Sequence, residues 1–509
     1  MAIAATPIDD VRPKVRAPRI FRDSVLNLLG LGIPLVVALF AIPPLVRGLG
    51  TDRFGVLTLA WLVIGYFSLF DLGLGRALTQ VVAAQLGETH RDQAPLLVWP
   101  ALGIMAGLGI LGGVVLTAVA PWLVHSVLKI PATLRNETLT AFYILGAAIP
   151  VVVVTTGLVG ILTAFHRFAL LNALRVPLGL FTYLGPLAVL PFSHSLVSVT
   201  AVLAVGRVAA AAAYFVACSR LMPSTSVSEL WDFREVRPLF RTGAWMTVSN
   251  VISPLMVYVD RFFIGAVVSV SAVAYYATPY EMITKLLIIP GAVISVLFPA
   301  FASSHRTDPK LLAALLARGA KYVGLAVFPI VLLVTAFAPE GLRWWLGADF
   351  ATNSALVLQV IAVGVFINAF AQVSFTLVQA VGRPDLSAKF HALELPVYIF
   401  ALAWAVRTYG ILGAAVVWTA RVTLDALLLF ATAIRLVPDA AALRRRGLII
   451  ISVSVLCLAL PIAIEGVAWR ATLAVAALAV FSTLAWRVLL GAEDKASVRR
   501  LAGAFDVGR

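Results

Sequence analysis

The sequence has few charges and few cysteines for its length. Of its 509 residues, only 12% are charged and 61% are hydrophobic, whereas soluble domains average about 25% charged residues. This excludes an ordinary soluble fold, because one core could not enclose so much apolar surface. The two cysteines, Cys218 and Cys457, lie inside apolar runs. Their number and positions exclude a disulfide framework and a cysteine-based metal site.

Recognisable catalytic motifs are also missing. The sequence contains neither a phosphate-binding glycine loop followed by Lys-Ser/Thr nor a His-Glu-x-x-His pattern, each of which carries a known chemistry. The segments between apolar runs are too short for a nucleotide-binding domain. We therefore expect a protein that is not an enzyme, holds no cofactor or metal, and does not hydrolyse ATP by itself. His166 and His391 are expected to be solvated or packed rather than catalytic.

Long apolar runs make up most of the sequence. Crossing the hydrocarbon layer takes about 20 residues, and we predict fourteen spans, with twelve as the alternative count. Their predicted limits are 24–46, 54–78, 94–121, 138–163, 169–191, 195–218, 241–266, 272–301, 311–337, 353–380, 386–406, 411–434, 447–464 and 468–490. The fold class is therefore an all-α integral membrane protein.

The positive charges predict the orientation. Most of the 39 lysines and arginines lie in the two tails and in the loops on their side. Loops rich in Lys and Arg stay in the cytoplasm, so both termini are expected there. The net charge of +15 is then mainly a signal of topology, and binding of nucleic acid need not be invoked.

Internal similarity predicts two related halves. FRDSVLNLLG at Phe21 is repeated as FRTGAWMTVS at Phe240. LTAFHRFALLNAL from Leu162 is repeated as VQAVGRPDLSAKF from Val378. The near-constant separation indicates parallel repeats, an arrangement found in transporters, here as two pseudo-symmetric six-helix lobes plus a C-terminal helix pair. The predicted division is an N-terminal tail (1–23), first lobe (24–218), linker (219–240), second lobe (241–436), helix pair (437–491) and C-terminal tail (492–509).

Ionisable residues lie inside or at the ends of the predicted spans, where exposure to lipid would cost several kcal/mol each. The carboxylates are Asp71, Asp260, Glu281, Glu394 and Asp425, and the cations are Arg76, Arg207, Arg261, Lys285 and Arg421. We expect them to line a shared, hydrated interior.

Spacing suggests how some of these charges pair. Glu281 and Lys285 are four residues apart and share a helix face, as do Arg421 and Asp425. Each of these two sets can also be interpreted as a self-neutralising pair. Asp260 and Arg261 are neighbours and point about 100° apart on a helix, so we expect them to find partners on other helices.

The excess of buried cations indicates an anionic substrate. Arg binds phosphate through paired hydrogen bonds, and Lys acts as a compact charge. The cations are therefore candidates for binding a pyrophosphate, and the carboxylates are candidates for ion coupling. Prolines at 254, 279, 290 and 299 predict kinks in the seventh and eighth spans.

Several segments resemble Wzx-type oligosaccharide flippases. They are GLGTDRFGVLTLAWLVIGYFSLFDLGLGRALTQ from Gly48, YVDRFFIGAVVSVSAVAYYATPYEMITKLLIIPGAVISVLFPAFA from Tyr258, and the hairpin AFHRFALLN. The family belongs to the multidrug/oligosaccharidyl-lipid/polysaccharide exporter superfamily. The resemblance places Arg76, Arg261 and Lys285 in matching motifs, whereas Arg207 and Arg421 are candidates from burial and charge alone.

The resemblance implies two lobes around a central cavity and alternating access driven by a proton or sodium gradient. It also implies a bacterial inner-membrane location and a substrate of undecaprenyl-pyrophosphate-linked O-antigen or exopolysaccharide units. A polysaccharide polymerase and its chain-length machinery are candidate partners.

Three alternatives remain open. A lipid II flippase has the same span count. A multidrug and toxin antiporter has a similar fold, but it would favour an acidic pocket. A membrane glycosyltransferase or ligase would need a longer periplasmic loop than 122–137 or 338–352.

Overall fold

The computed structural model describes residues 17–68, 74–75, 78–79, 82, 94–221, 255–305, 308–437 and 441–489. All regular structure in these ranges is helical. The predictions for Asp71, Arg76, most of both tails and most of the inter-lobe linker lie outside the described residues.

Thirteen α-helices are described. In the first half they are α1 (Ala17–Phe67), α2 (Ala94–Trp122), α3 (Arg135–Ala164), α4 (Phe168–Val189) and α5 (Leu196–Ser219). In the second half they are α6 (255–267), α7 (Val270–Thr284), α8 (Ile288–Ser304), α9 (Pro309–Leu346), α10 (Ala348–Ala380) and α11 (Pro384–Leu436). A final pair comprises α12 (Ala441–Ala459) and α13 (Val467–Leu484).

Most of the predicted membrane spans are visible in these helices. Ten helices among the described residues are long and apolar enough to cross a membrane. Two of them, α1 and α11, are broken at Gly50 and Gly410, so each supplies two of the predicted spans. The apolar part of α12 is shorter, and the predicted seventh span is described only from residue 255 onward. The predicted loop at 47–53 is wrong, because helix continues on both sides of the single break at Gly50.

The helices pack as two groups. In the first lobe, α3 lies against α2 and α5, while α4 lies between α1 and α5. In the second lobe, α10 is the central helix and contacts α7, α8, α9 and α11. The final pair, α12 and α13, packs on the outside of α9, where Phe481 stacks on Phe328 with ring centroids 3.8 Å apart. This arrangement confirms two six-span lobes with an appended helix pair.

The repeated hairpin has the same backbone geometry in both lobes. His166 ends α3 with φ of 53°, and Gly382 ends α10 with φ of 78°. The amide of the next residue, Arg167 or Arg383, donates to the carbonyl five residues earlier, at 2.9 and 3.1 Å respectively. This is a left-handed helix-ending motif. Its recurrence at the aligned positions supports duplication of one ancestral lobe.

Three prolines inside spans leave carbonyl groups that other helices satisfy. A proline has no N–H, so the carbonyl four residues earlier loses its helical partner, which is costly in lipid. The indole of Trp345 donates to the Leu39 carbonyl (2.6 Å), which Pro43 leaves free. Ser354 donates to Tyr275 (2.7 Å) and Gln359 to Thr335 (2.7 Å), the carbonyls released by Pro279 and Pro339. The kinked helices are thereby fixed to their neighbours.

The lobes meet at the predicted periplasmic face. The Ser271 hydroxyl at the start of α7 donates to Asp52 Oδ1 on α1 at 2.5 Å. The amide of Lys129, in the loop after α2, donates to Gly265 O on α6 at 2.9 Å. A Cβ at Gly55 would lie 1.9 Å from the carbonyl oxygen of Val270, so only glycine permits this approach of α1 to α7. We call these contacts the seal, because they close the space between the lobes at this face.

Candidate functional site

The second lobe gathers most of the predicted charged residues into two clusters. The arginine cluster comprises Asp260 and Arg261 on α6, Glu281 on α7, and Lys285 just after α7. The histidine cluster comprises His391, Glu394, Arg421 and Asp425, all on α11. The structure therefore replaces the single shared interior expected from the sequence with two separate groups of charges.

Arg261 is the centre of the arginine cluster. Its Nη1 lies 2.9 Å from Asp260 Oδ1, and its Nη2 lies 3.0 Å from Glu281 Oε1. Nη1 also donates to the backbone oxygen of Val257 at 2.5 Å. The expectation that Asp260 and Arg261 have partners on other helices is confirmed by Tyr276 and Glu281 on α7, but the two residues also pair with each other, which the sequence analysis did not predict. The long arginine side chain folds back along its own helix, so the angle between adjacent Cα–Cβ bonds does not fix where the guanidinium lies.

Aromatic side chains enclose this guanidinium. Its Cζ lies 4.2 Å from the ring centroid of Tyr280, a distance that favours cation–π attraction. Tyr276 donates its hydroxyl to Asp260 Oδ2 at 2.6 Å. Arg261 is only 1% exposed and Asp260 is fully buried. In this conformation Arg261 therefore organises the cluster and is not open to a ligand.

Lys285 is the accessible cation of the cluster. Its Nζ lies 3.2 Å from Glu281 Oε2, and the two side chains are 47% and 46% exposed. This confirms that Glu281 and Lys285 share a helix face and form an ion pair. Because a charge facing lipid is expensive, we infer that their exposed ends face the space between the lobes.

A change of helix type occurs at Lys285. The chain leaves α7 and forms a 3₁₀ turn over Lys285–Leu287 before α8 begins. Pro290 follows in the first turn of α8 and has no N–H to continue the α-helical pattern. Short 3₁₀ segments inside a span often mark hinges. This confirms the predicted interruption of the eighth span and places the accessible cation at the bend.

The histidine cluster pairs differently from the sequence prediction. Arg421 Nη1 lies 3.7 Å from Glu394 Oε2, and His391 Nε2 lies 3.7 Å from Asp425 Oδ1. The alternative of a self-neutralising pair between Arg421 and Asp425 is wrong. The break at Gly410 folds the two halves of α11 side by side, so the pairs form between halves rather than within one.

Several polar atoms of this cluster are buried without a hydrogen bond. The 3.7 Å contacts are too long for hydrogen bonds. Both Glu394 carboxylate oxygens, Asp425 Oδ1, Arg421 Nε and the Tyr398 hydroxyl have no hydrogen-bonding partner in the described part of the chain. Buried polar atoms are normally satisfied. These unpaired polar atoms concentrate at one place on α11.

A cavity of about 200 Å³ opens onto the cluster. Its polar lining consists of Asn368, Gln372, His391, Arg421 and Asp425. Its apolar lining consists of Met256, Val257, Ala371, Phe375 and Leu429. The cavity lies among α6, α10 and both halves of α11, and so belongs to the second lobe.

Tyrosines and a tryptophan connect the two clusters. Tyr280, which covers Arg261, makes an edge contact with Trp418 on α11 at 5.3 Å between centroids. Tyr398 lies under the guanidinium of Arg421, 5.4 Å from its Cζ. Aromatic side chains therefore lie beside both clusters.

Among the described residues, the remaining predicted cation lies elsewhere. Arg207 is half-buried near the middle of α5, a first-lobe helix, whereas both clusters are built by the second lobe.

Sequence reasoning also missed two residues. His391 was expected to be solvated or merely packed, yet it lines the cavity. Arg470 falls inside the predicted span 468–490 but was not a candidate site residue; it lies in the first turn of α13, with Nη2 2.6 Å from Glu340 Oε1. An isolated histidine and a terminal arginine carry no spacing signal that predicts such partners.

Comparison with known proteins identifies the family to which this chain belongs. Residues 45–354 match the family described as polysaccharide biosynthesis protein. The chain belongs to the polysaccharide biosynthesis protein family. A protein named "Putative O-antigen transporter" from Shigella flexneri is 32% identical over 413 residues, covering 81% of this chain and 96% of that protein. This member of the polysaccharide biosynthesis protein family is a multi-pass membrane protein.

Solved structures show the same fold at low sequence identity. The inward-facing conformation of a multidrug resistance MATE family transporter of the MOP superfamily superposes with a TM-score of 0.67 at 15% identity. It covers 81% of this chain and 98% of its own. The inward closed conformation of the lipid II flippase MurJ gives 0.64 at 12% identity and covers 92% of this chain and 99% of its own. The polysaccharide biosynthesis protein described here thus has the predicted exporter fold.

Proposed function

We propose that this protein is a flippase for lipid-linked oligosaccharides. It moves an undecaprenyl-pyrophosphate-linked unit from the cytoplasmic to the periplasmic leaflet by alternating access. The observation that carries the proposal is the similarity to the Shigella flexneri protein named "Putative O-antigen transporter" over 96% of that protein's length. The fold alone does not choose among cargoes, because MATE and MurJ structures both match it.

The arginine cluster supplies a binding group for the pyrophosphate. Lys285 is half-exposed, and in the described part of the chain its ion-pair partner is Glu281, so an incoming phosphate competes for it without disturbing the buried Arg261. A pyrophosphate carries more negative charge than a single carboxylate, so it makes stronger charge-assisted hydrogen bonds with Lys285. Glu281 is also the second carboxylate partner of Arg261. When Lys285 leaves Glu281 to bind the phosphate, the charge that surrounds Arg261 therefore changes.

The seal and the hinge supply the alternating access. With the predicted periplasmic face closed by the contacts of Asp52, Gly55 and Lys129, the space between the lobes opens toward the cytoplasm. The prenyl chain stays in lipid between the lobes while the sugars enter the hydrated space. Cargo binding at Lys285 bends the hinge, separates the seal and exposes the cargo on the other side.

The proposal includes the cellular setting. We place the protein in a bacterial inner membrane with both termini cytoplasmic, coupled to an ion gradient and acting as a transporter rather than an enzyme. A polysaccharide polymerase and its chain-length machinery receive the flipped unit.

The test uses a deletion strain of the organism that carries this gene. Surface polysaccharide and the pool of lipid-linked repeat units are quantified before and after complementation. We expect the deletion to lose surface polymer and to accumulate lipid-linked units, with rescue by the wild type. Normal polymer with an unchanged pool would contradict the flippase function, and toxin efflux would then test the antiporter alternative.

Variants at Lys285 test the binding group. Lys285→Ala is expected to lower polymer formation roughly 10- to 100-fold, because a hydrogen bond to a charged group contributes about 1.5–3 kcal/mol. Lys285→Arg should retain most activity. Lys310→Ala, an exposed lysine at the start of α9, is the matched control and should behave as the wild type. Equal activity of Lys285→Ala and Lys310→Ala would remove Lys285 from the binding site.

A further inference from the structure

The C-terminal helix pair contacts α9 at the point where that helix bends. Phe337 has backbone angles of φ −117° and ψ 19°, outside the helical range, and Pro339 follows two residues later. A proline inside a helix causes such a kink, because it has no N–H and its ring crowds the preceding turn. The bend divides α9 into a long inner segment and a short outer segment, 338–346.

Side chains from two other helices bind the carbonyl groups at the bend. The amide of Gln359 on α10 donates to the carbonyl that the proline leaves free, at 2.7 Å. The guanidinium of Arg470 on α13 donates to the next carbonyl, Ala336 O, at 3.2 Å, and its Nη2 lies 2.6 Å from Glu340 Oε1 in the outer segment. Arg470 therefore contacts α9 on both sides of the bend and fixes the angle between its two segments.

The outer segment of α9 also contacts the first lobe. The indole N–H of Trp345 donates to Leu39 O on α1 at 2.6 Å. Trp345 is 9% exposed, whereas the neighbouring Trp344 is 85% exposed. The bond joins the two lobes on the part of α1 that leads to the seal, and we call it the latch.

Separation of the lobes at the seal must break the latch. Since α1 belongs to the first lobe and α9 to the second, the N–H and the carbonyl move apart when the predicted periplasmic face opens. A backbone carbonyl without a partner is costly in an apolar environment. The latch therefore favours the closed seal, and its strength depends on where the bend of α9 places Trp345.

We propose that the C-terminal helix pair controls the opening of the seal: Arg470 fixes the bend of α9, and the bend holds Trp345 on Leu39. The inference rests on the alternating access of the proposed function and gives a role to the helix pair that lies outside the two repeats. Trp345 and Arg470 are positioning residues. They shift the equilibrium between closed and open lobes and do not bind the cargo.

The test measures how often the seal opens, and it needs no cargo. Thr58 is 9% exposed and lies one turn from Gly55 on the same face of α1. With Cys218 and Cys457 replaced by alanine, Thr58→Cys supplies a single thiol that is covered while the seal is closed. Spheroplasts containing the full-length protein are treated with a membrane-impermeant maleimide, and the rate of labelling is measured.

Trp345→Phe tests the latch, because it keeps an aromatic ring but removes the N–H. It should raise the labelling rate roughly 2- to 10-fold, the range for the loss of one hydrogen bond. Trp344→Phe, at the exposed neighbour, is the matched control and should be labelled as slowly as the parent protein. Equal rates for the parent protein and Trp345→Phe would overturn the latch.

Arg470→Met tests whether the helix pair acts through the latch. Alone, it should raise the labelling rate by a factor similar to that of Trp345→Phe. In the double variant it should add less than about twofold, because changes that act through one contact are not additive. An unchanged rate in Arg470→Met, or full multiplication of the two factors in the double variant, would overturn control by the helix pair.

Cys218 separates opening of the seal from loss of the fold. It is fully buried on α5, so in a second set of proteins that retain Cys218 and Thr58 its labelling reports unfolding. We expect that labelling to stay at the wild-type level in every variant. An increase equal to that seen for Thr58→Cys would overturn the proposal. Normal surface polymer in the deletion strain would instead overturn the flippase function alone, because the labelling is measured without cargo.

Discussion

At the scale of single residues, the sequence predicts which charges are buried but not which charges meet. Asp260, Arg261 and Glu394 were expected inside the membrane from hydropathy alone, and all three are buried. Their partners depend on side-chain torsions and on the break at Gly410. A helical wheel contains neither the side-chain torsions nor the helix break. The predicted pairing was therefore incomplete for Arg261 and wrong for Arg421, and it was right for Glu281 with Lys285.

The two repeated hairpins provide a matched experiment on backbone conformation. Gly382 adopts a positive φ, so Gly382→Ala should lower the free energy of unfolding by about 1 kcal/mol, because a Cβ is disfavoured there. His166→Gly removes the same strain from the other lobe while adding freedom to the unfolded chain, so its net change should be small.

Thermal unfolding in detergent measures both hairpin variants. A larger loss of stability for His166→Gly than for Gly382→Ala would contradict the equivalence of the two turns.

At the scale of helices, hydropathy located the spans well and the turns poorly. The breaks at Gly50 and Gly410 fall between predicted spans, but the helices continue almost without a loop. The span containing Lys285 was correctly expected to be interrupted near its prolines. The donors that satisfy the proline-freed carbonyls, such as Trp345 and Ser354, could not be predicted, because they come from helices distant in sequence.

The seal between α1 and α7 can be locked covalently. In a background with Cys218 and Cys457 replaced by alanine, Asp52→Cys with Ser271→Cys should form a disulfide, since the native side chains touch at 2.5 Å. We expect oxidation to abolish transfer of undecaprenyl pyrophosphate and reduction to restore it.

Asp52→Cys alone is the control for this lock and should be insensitive to oxidation. Full transfer by the cross-linked protein would show that the seal need not open.

At the scale of the whole molecule, the duplication was predictable from the sequence, and the attachment of the last helix pair was not. The repeated motifs correctly predicted two lobes and an additional C-terminal helix pair. In addition to apolar packing, an ion pair that the sequence does not signal joins the last helix pair to α9. Arg470 on α13 is 7% exposed, donates to Ala336 O at 3.2 Å and contacts Glu340 on α9.

Removing one member of this pair should loosen the helix pair. Arg470→Met is expected to destabilise the protein by about 1.5–3 kcal/mol, the range for a hydrogen bond to a charged group. The double variant with Glu340→Met should recover part of that loss, because no carboxylate is then left unpaired.

A double-mutant cycle from unfolding in detergent gives the coupling energy of the pair. A coupling energy near zero would mean that apolar packing, such as that of Phe328 on Phe481, is sufficient to hold α12 and α13 against α9.

The approach of Gly55 to Val270 bears on how the protein selects its cargo. At that point backbone meets backbone, and the neighbouring contacts of the seal are hydrogen bonds with a hydroxyl and a carbonyl as neutral partners. In the proposed cycle the exit is therefore closed by contacts within the protein, so we expect a substitution at Gly55 to change the rate of transfer to the same extent for different glycans.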